Sequence, residues 1–139
     1  MLPMDVPFAT LADSANITSD GKLNILGMFD RIMAANFPTL HPHMQLVVSF
    51  QADQIEVGQT KTIEVLLSDS DGTKIGTIKG NLDVPTPRER GYPIRINQIF
   101  PLSGVVFPKA GDYVFHILVN GEPKATVPFA VRPITASRS

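Results

Sequence analysis

Proline and glycine decide what this chain can become. Twelve prolines and ten glycines are spread along all 139 residues. Proline lacks an amide donor and clashes with the preceding helical turn, while glycine loses much backbone freedom on ordering, so neither suits a helix interior. Together they cut the chain into segments about as long as strands, and no interval reads as a long amphipathic helix. The length is common for a single domain. We therefore expect one all-β domain over residues 1–139, with 134–139 as a mobile tail. Hydrophobic residues make up 43% of the chain and charged residues 18%, apolar enough to fold around a core.

The C-terminal hairpin is the clearest element. Tyr113, Phe115, Ile117 and Val119 alternate with Val114, His116 and Leu118. Asn120-Gly121 then supplies two residues that accept positive φ in a type I′ turn. The return strand sets Ala125, Val127, Phe129 and Val131 against Lys124, Thr126, Pro128 and Arg132. Pro128 has no N–H to give a ladder, so this strand should lie at an edge or turn that position outward.

Further strands are expected over Met44, Leu46, Val48 and Phe50, and over Ile63, Val65 and Leu67. Asp69-Ser70-Asp71-Gly72 makes a turn into a return strand over 74–84. Apolar parity changes between Ile75 and Ile78, and Gly76 between them would accommodate a bulge. Ile94 to Phe100 reads as another strand. Leu23 to Phe29 is almost continuously apolar, as in a strand covered on both faces. Ser19-Asp20-Gly21-Lys22 joins it to a weaker strand around Phe8–Ala15, and Arg31 to Ala35 reads as its extension rather than as a helical turn. The sum is seven or eight short strands at hairpin-like spacing, a pattern that predicts a two-sheet antiparallel sandwich.

Pro108-Lys109-Ala110-Gly111-Asp112-Tyr113 enters a strand with glycine two residues before tyrosine. This arrangement resembles the tyrosine corner, in which the phenol bonds to backbone just upstream, and it favours the immunoglobulin-like version of the sandwich. Three longer segments, Asp20 to Ile32, Phe37 to Pro42 and Phe107 to Val131, together resemble a family of uncharacterised bacterial and phage proteins with no assigned activity. The resemblance implies a β-sandwich and brings no catalytic or ligand residues with it.

Charge and composition narrow the partners. Twelve basic and thirteen acidic residues leave a net charge of −1, without the basic stripe that neutralises phosphates. Nucleic acid is not an expected partner. No run approaches the roughly 20 apolar residues of a membrane span. Met1-Leu2-Pro3-Met4-Asp5 has neither the basic region nor the apolar stretch of a signal peptide, so the expected compartment is the cytoplasm. The absence of cysteine excludes disulfides and thiolate chemistry.

Candidate chemistry is sparse. His41 and His43 share a face of an extended segment, but zinc needs three or four converging ligands, and His116 is the one other histidine. Asp69, Asp71 and Gly72 echo part of a calcium loop, but Thr73 and Gly80 occupy positions five and twelve, where ligands are required. No Gly-x-Ser-x-Gly elbow appears. The base of any triad would have to be one of the three histidines, and Asp30-Arg31 reads as a surface or interstrand charge pair. We expect no cofactor and no metal.

One segment stands out as a binding candidate. Between Val84 and Pro93, three prolines forbid a regular ladder, while Arg88, Arg90 and Tyr92 are side-chain types common at binding hot spots. The expectation is a non-enzymatic binding or assembly module that meets a protein partner or associates with itself, with the Phe8–Ala15 segment, which carries few charges, as an open edge. The alternative is a small-ligand-binding or hydrolytic β-sandwich with a dispersed site. A pocket of convergent His, Asp or Arg would favour the second, and an exposed edge or apolar patch the first.

Overall fold

The computed structural model describes residues 4–87 and 91–134. The strands are β1 (Asp5–Ile17), β2 (Leu23–Phe29), β3 (Arg31–Ala34), β4 (Thr39–Ala52), β5 (Thr60–Asp69), β6 (Lys74–Asp83), β7 (Ile94–Phe107), β8 (Gly111–Val119) and β9 (Glu122–Pro133). A single 3-10 turn, Gln54–Glu56, links β4 to β5. Two sheets result, a four-stranded one in the order β2-β1-β4-β7 and a five-stranded one in the order β3-β9-β8-β5-β6. The second is curled into a half-barrel, and the first is not closed.

Nine strands among the described residues exceed the seven or eight expected, and β3 is the reason. Arg31–Ala34 does not prolong β2. It leaves the four-stranded sheet and pairs in parallel with β9, Arg31 opposite Ala130 and Ala34 opposite Pro133. The remaining pairings are antiparallel.

Alternation places the core between the sheets. Met44, Leu46, Val48 and Phe50 of β4 face Ile63, Val65 and Leu67 of β5 and Tyr113, Phe115, Ile117 and Val119 of β8 in one buried cluster. Phe107, Tyr113, Phe115 and Phe129 stack or meet edge-on with ring centroids 5.0–5.9 Å apart, the spacing at which aromatic quadrupoles attract. The β8–β9 hairpin closes on Asn120 and Gly121, with φ of 51° and 80°, as the type I′ reading requires. The Tyr113 hydroxyl donates to the Lys109 carbonyl at 2.5 Å, which is the bond expected of a tyrosine corner. In β6 the pairing passes from Leu67–Gly76 to Ser68–Lys74. Ile75 is therefore the extra residue of a bulge, one position before Gly76.

Two sequence expectations about edges are corrected. The Phe8–Ala15 segment is no edge, because β1 pairs with β2 on one side and β4 on the other. The continuous apolar run of β2 is not covered on both faces: β2 ends the sheet, with Leu26 and Met28 exposed. Pro128 keeps the predicted logic in a different setting. Its strand lies between β8 and β3, but β3 begins pairing only at Ala130, so no ladder partner stands beside Pro128 on that side.

The β1–β2 hairpin also serves as a cover. Asn97 on β7 donates through Nδ2 to the carbonyl of Gly21 in the hairpin turn, at 3.1 Å. Since β1 and β4 separate β2 from β7 within the sheet, the turn reaches Asn97 only by folding across the outer face. That explains why Val47 and Ala12 are fully buried while lying outside the central cluster. Of the expected tail, Ile134 is tied by its N–H to the Ala34 carbonyl at 2.8 Å, and residues 135–139 lie outside the described part.

Candidate binding cleft

The two sheets differ by one strand, and the mismatch leaves a gap. At one side of the molecule the four-stranded sheet ends at β7 and the five-stranded sheet at β6, and the two edges do not pair with each other. Between them opens a cleft of about 420 Å³. Its floor is the inner face of the five-stranded sheet, at Val65, Leu67 and Phe115. Ile75 and Ile78 form the β6 wall, and residues 101–106 form the β7 wall. Among the described residues, none that lines it is ionisable.

Local sequence builds both walls. The bulge at Ile75 brings Ile75 and Ile78 to the same side despite their odd spacing, and both pack against the core. On β7, Gly104 has φ +65°, a conformation that L side chains avoid. Across it the inward parity passes from even to odd residues: Leu102 is buried before the glycine and Phe107 after it. Val106, and Leu40 opposite it on β4, consequently point outward at 47% and 57% exposure.

The residues singled out in the sequence do not gather here. Tyr92 is exposed and does not line the cleft; its carbonyl accepts a bond from Gln54 Nε2 at 3.2 Å. Arg88 and Arg90 lie outside the described residues. His41 packs against Phe29 with ring centroids 6.1 Å apart, and His116 sits in the other sheet, its Nε2 3.1 Å from Ser68 Oγ. Among the described residues no three histidine, aspartate or glutamate side chains cluster as a metal site. The Ser68–His116 pair has the elements of an activated nucleophile, but Ser68 is only 5% exposed, which closes its hydroxyl to a substrate.

Two further features have structural explanations. Asp69 Oδ1 accepts the N–H groups of Asp71 and Thr73 at 2.9 and 2.8 Å, so the calcium-like carboxylate is occupied in shaping its own turn. Asp30 and Arg31 line a shallower cleft of about 350 Å³ beside Asp112. There Arg132, rather than Arg31, makes the ion pair, reaching Asp112 at 2.8 Å.

Sequence reading missed the one buried ion pair among the described residues, at the margin of the core. Lys61 Nζ lies 2.7 Å from Glu56 Oε2, with the two side chains 8% and 1% exposed. Burial works against the Glu56 carboxylate. The hydrogen bond and charge of Lys61, with N–H donors from Asp53 and Met4, outweigh it and hold the group below its usual range. Lys61 also donates to Gln59 Oε1 at 2.8 Å. The signal was available: Lys61 has the inward parity of Ile63, Val65 and Leu67, so a lysine there needs a buried partner.

Comparison with known proteins adds a family and little more. No curated protein matches the chain in sequence. Among solved structures, it is similar to the Pseudomonas fluorescens alkylpurine DNA glycosylase AlkC bound to DNA containing an abasic site analog, at 13% identity and a TM-score of 0.49. That alignment covers 93% of this chain and 30% of the glycosylase chain. A model of DUF6941, a family of unknown function, matches residues 7–132, and the chain belongs to that family.

Proposed function

We propose that the chain is a non-enzymatic binding or assembly module on an immunoglobulin-like frame, of bacterial or phage origin, and that it receives an extended segment of a partner protein in the β6/β7 cleft. The cleft carries this reading. An apolar floor flanked by strand edges offers main-chain donors and acceptors for pairing, with pockets for alternate side chains, which is the physics of strand addition. Among the described residues the lining has no histidine, aspartate or arginine, which favours this over a dispersed catalytic site. The net charge of −1 favours a protein over a nucleic acid.

The immunoglobulin-like frame has its own supports. Tyr113 bonds back to Lys109 at the start of β8, as the tyrosine of that fold does at its sixth strand. A short early strand, β3, joins the five-stranded sheet beside β9, while β1 stays with β4 and β7.

Short extended peptides with alternating apolar residues, selected for binding and titrated into labelled protein, test the proposal. The expected result is amide shifts centred on Thr77 and Ser103. Binders that leave β6 and β7 unshifted would refute the cleft. Turnover of simple ester substrates that is lost in Ser68→Ala would refute the non-enzymatic half.

A further inference from the structure

We infer that the cleft edge pairs with a second copy of the chain, β7 against β7 in antiparallel register about a two-fold axis. This inference rests on the reading of the cleft as a surface that receives a strand.

The four free edges are not equivalent. β3 is four residues long, and β6 carries Lys74 and Lys79. Short length and lysines are both devices that discourage edge pairing. β7 has neither. It is fourteen residues long, and from Ile96 to Phe107 it has no charged side chain. A two-fold contact sets a surface against itself, so charges near the axis meet like charges. An edge without charge satisfies that condition, whereas β6 would bring lysines together. Pro101 removes one donor from the run and leaves the residues on either side free to pair.

The neighbouring surface points the same way. A strand added beside β7 extends the four-stranded sheet towards β6, across the cleft whose half-buried walls are Ile75, Ile78 and Val105. Val106 and Leu40, exposed together on the outer face at the cleft end of β7, lie where the partner's strand would continue that face. β2 is the rival edge. It is also uncharged, with Leu26 and Met28 exposed, but it has seven residues.

Light scattering and sedimentation equilibrium on the full chain, across a broad concentration range, test the pairing. Ser103→Lys and Val106→Lys place a cation on the β7 edge, and Leu26→Lys places one on β2; all three sites are exposed. The expected result is a dimer that either β7 variant weakens by about tenfold or more, because a lysine on a strand edge opposes pairing and the two-fold axis sets it into the contact twice. Leu26→Lys should leave the dimer intact. Unchanged melting temperatures and circular dichroism show that the variants fold. A wild-type monomer at every concentration, a dimer indifferent to both β7 lysines, or a dimer broken only by Leu26→Lys would each overturn the inference. A monomer that still takes peptides at Thr77 and Ser103 refutes self-pairing and leaves the cleft reading intact, whereas a monomer that takes none refutes both.

Discussion

Replacing Lys61 by methionine keeps most of the aliphatic stem and removes the ammonium that faces Glu56 at 2.7 Å. The Glu56 side chain is 1% exposed, so water cannot take over the lost interaction. Removing one partner of a buried pair leaves an uncompensated charge and costs about 3–5 kcal/mol. With a urea slope of about 1–3 kcal/mol per M, the unfolding midpoint at neutral pH should fall by roughly 1–5 M. The pH dependence supplies a second, independent sign. In the wild type the Glu56 carboxyl titrates below its usual range, so its contribution is complete above the unfolded-state value near 4.3 and is lost as pH falls through the lower folded value. In Lys61→Met the cation is gone and burial dominates, so acid neutralises a charge the fold no longer tolerates. The gap between variant and wild type should therefore narrow on going from pH 7 towards pH 4. Glu56→Gln combined with Lys61→Met removes both charges and should recover much of the loss. A Lys61→Met protein within 0.5 kcal/mol of wild type at pH 7, or a gap that widens in acid, would refute this account of the pair.

Tyr113→Phe should cost about 1 kcal/mol, because the Lys109 carbonyl loses its donor; an unchanged urea midpoint with an unchanged slope would mean the hydroxyl bond adds nothing. Phe115→Ala should cost more, about 3–5 kcal/mol, since the ring stacks on Phe129 and is 2% exposed, and a near-neutral result would overturn its place in the core. Chelator treatment should leave the melting temperature unchanged, and a clear drop would give the paired histidines a ligand role.

Sequence showed most where structure is local. The β8–β9 hairpin was legible because the alternation from Tyr113 to Val119 fixes a face and Asn120-Gly121 fixes the turn, and neither depends on the rest of the chain. The bulge near Gly76 was legible for the same reason, since a change of parity needs an extra residue. Placement within the sheets was not. The Phe8–Ala15 segment reads as weak and open, with Ala9, Thr10, Ala12 and Ser14 in place of large apolar residues. Small side chains are instead what lets β1 sit between two strands beneath its own hairpin, with Ala12 fully buried. β3 was misread as an extension of β2 because nothing between Phe29 and Ile32 resembles a turn; what moves it to the other sheet is pairing with Ala130 to Pro133, about a hundred positions away.

The cleft shows why the candidate site stayed hidden. Its walls are Ile75, Ile78 and Val105, which look in sequence like ordinary members of alternating strands. Local pattern says that such residues face inward, but it does not say whether a strand lies over them. That depends on a difference of one strand between two sheets assembled from β1, β2, β4 and β7 on one side and β3, β5, β6, β8 and β9 on the other. The sequence drew attention instead to the arginines and tyrosine of the 84–93 segment, because binding residues are usually sought among polar and aromatic side chains on loops. Strand addition works through the backbone, which every sequence carries alike. The readable trace of such a site is the charge that a long strand lacks: Ile96 to Phe107 has none, whereas β6 has Lys74 and Lys79. β4 is as long and also free of lysine, and it has neighbours on both sides; β7 has one on one side alone, which is why the proposed pairing is placed on its edge.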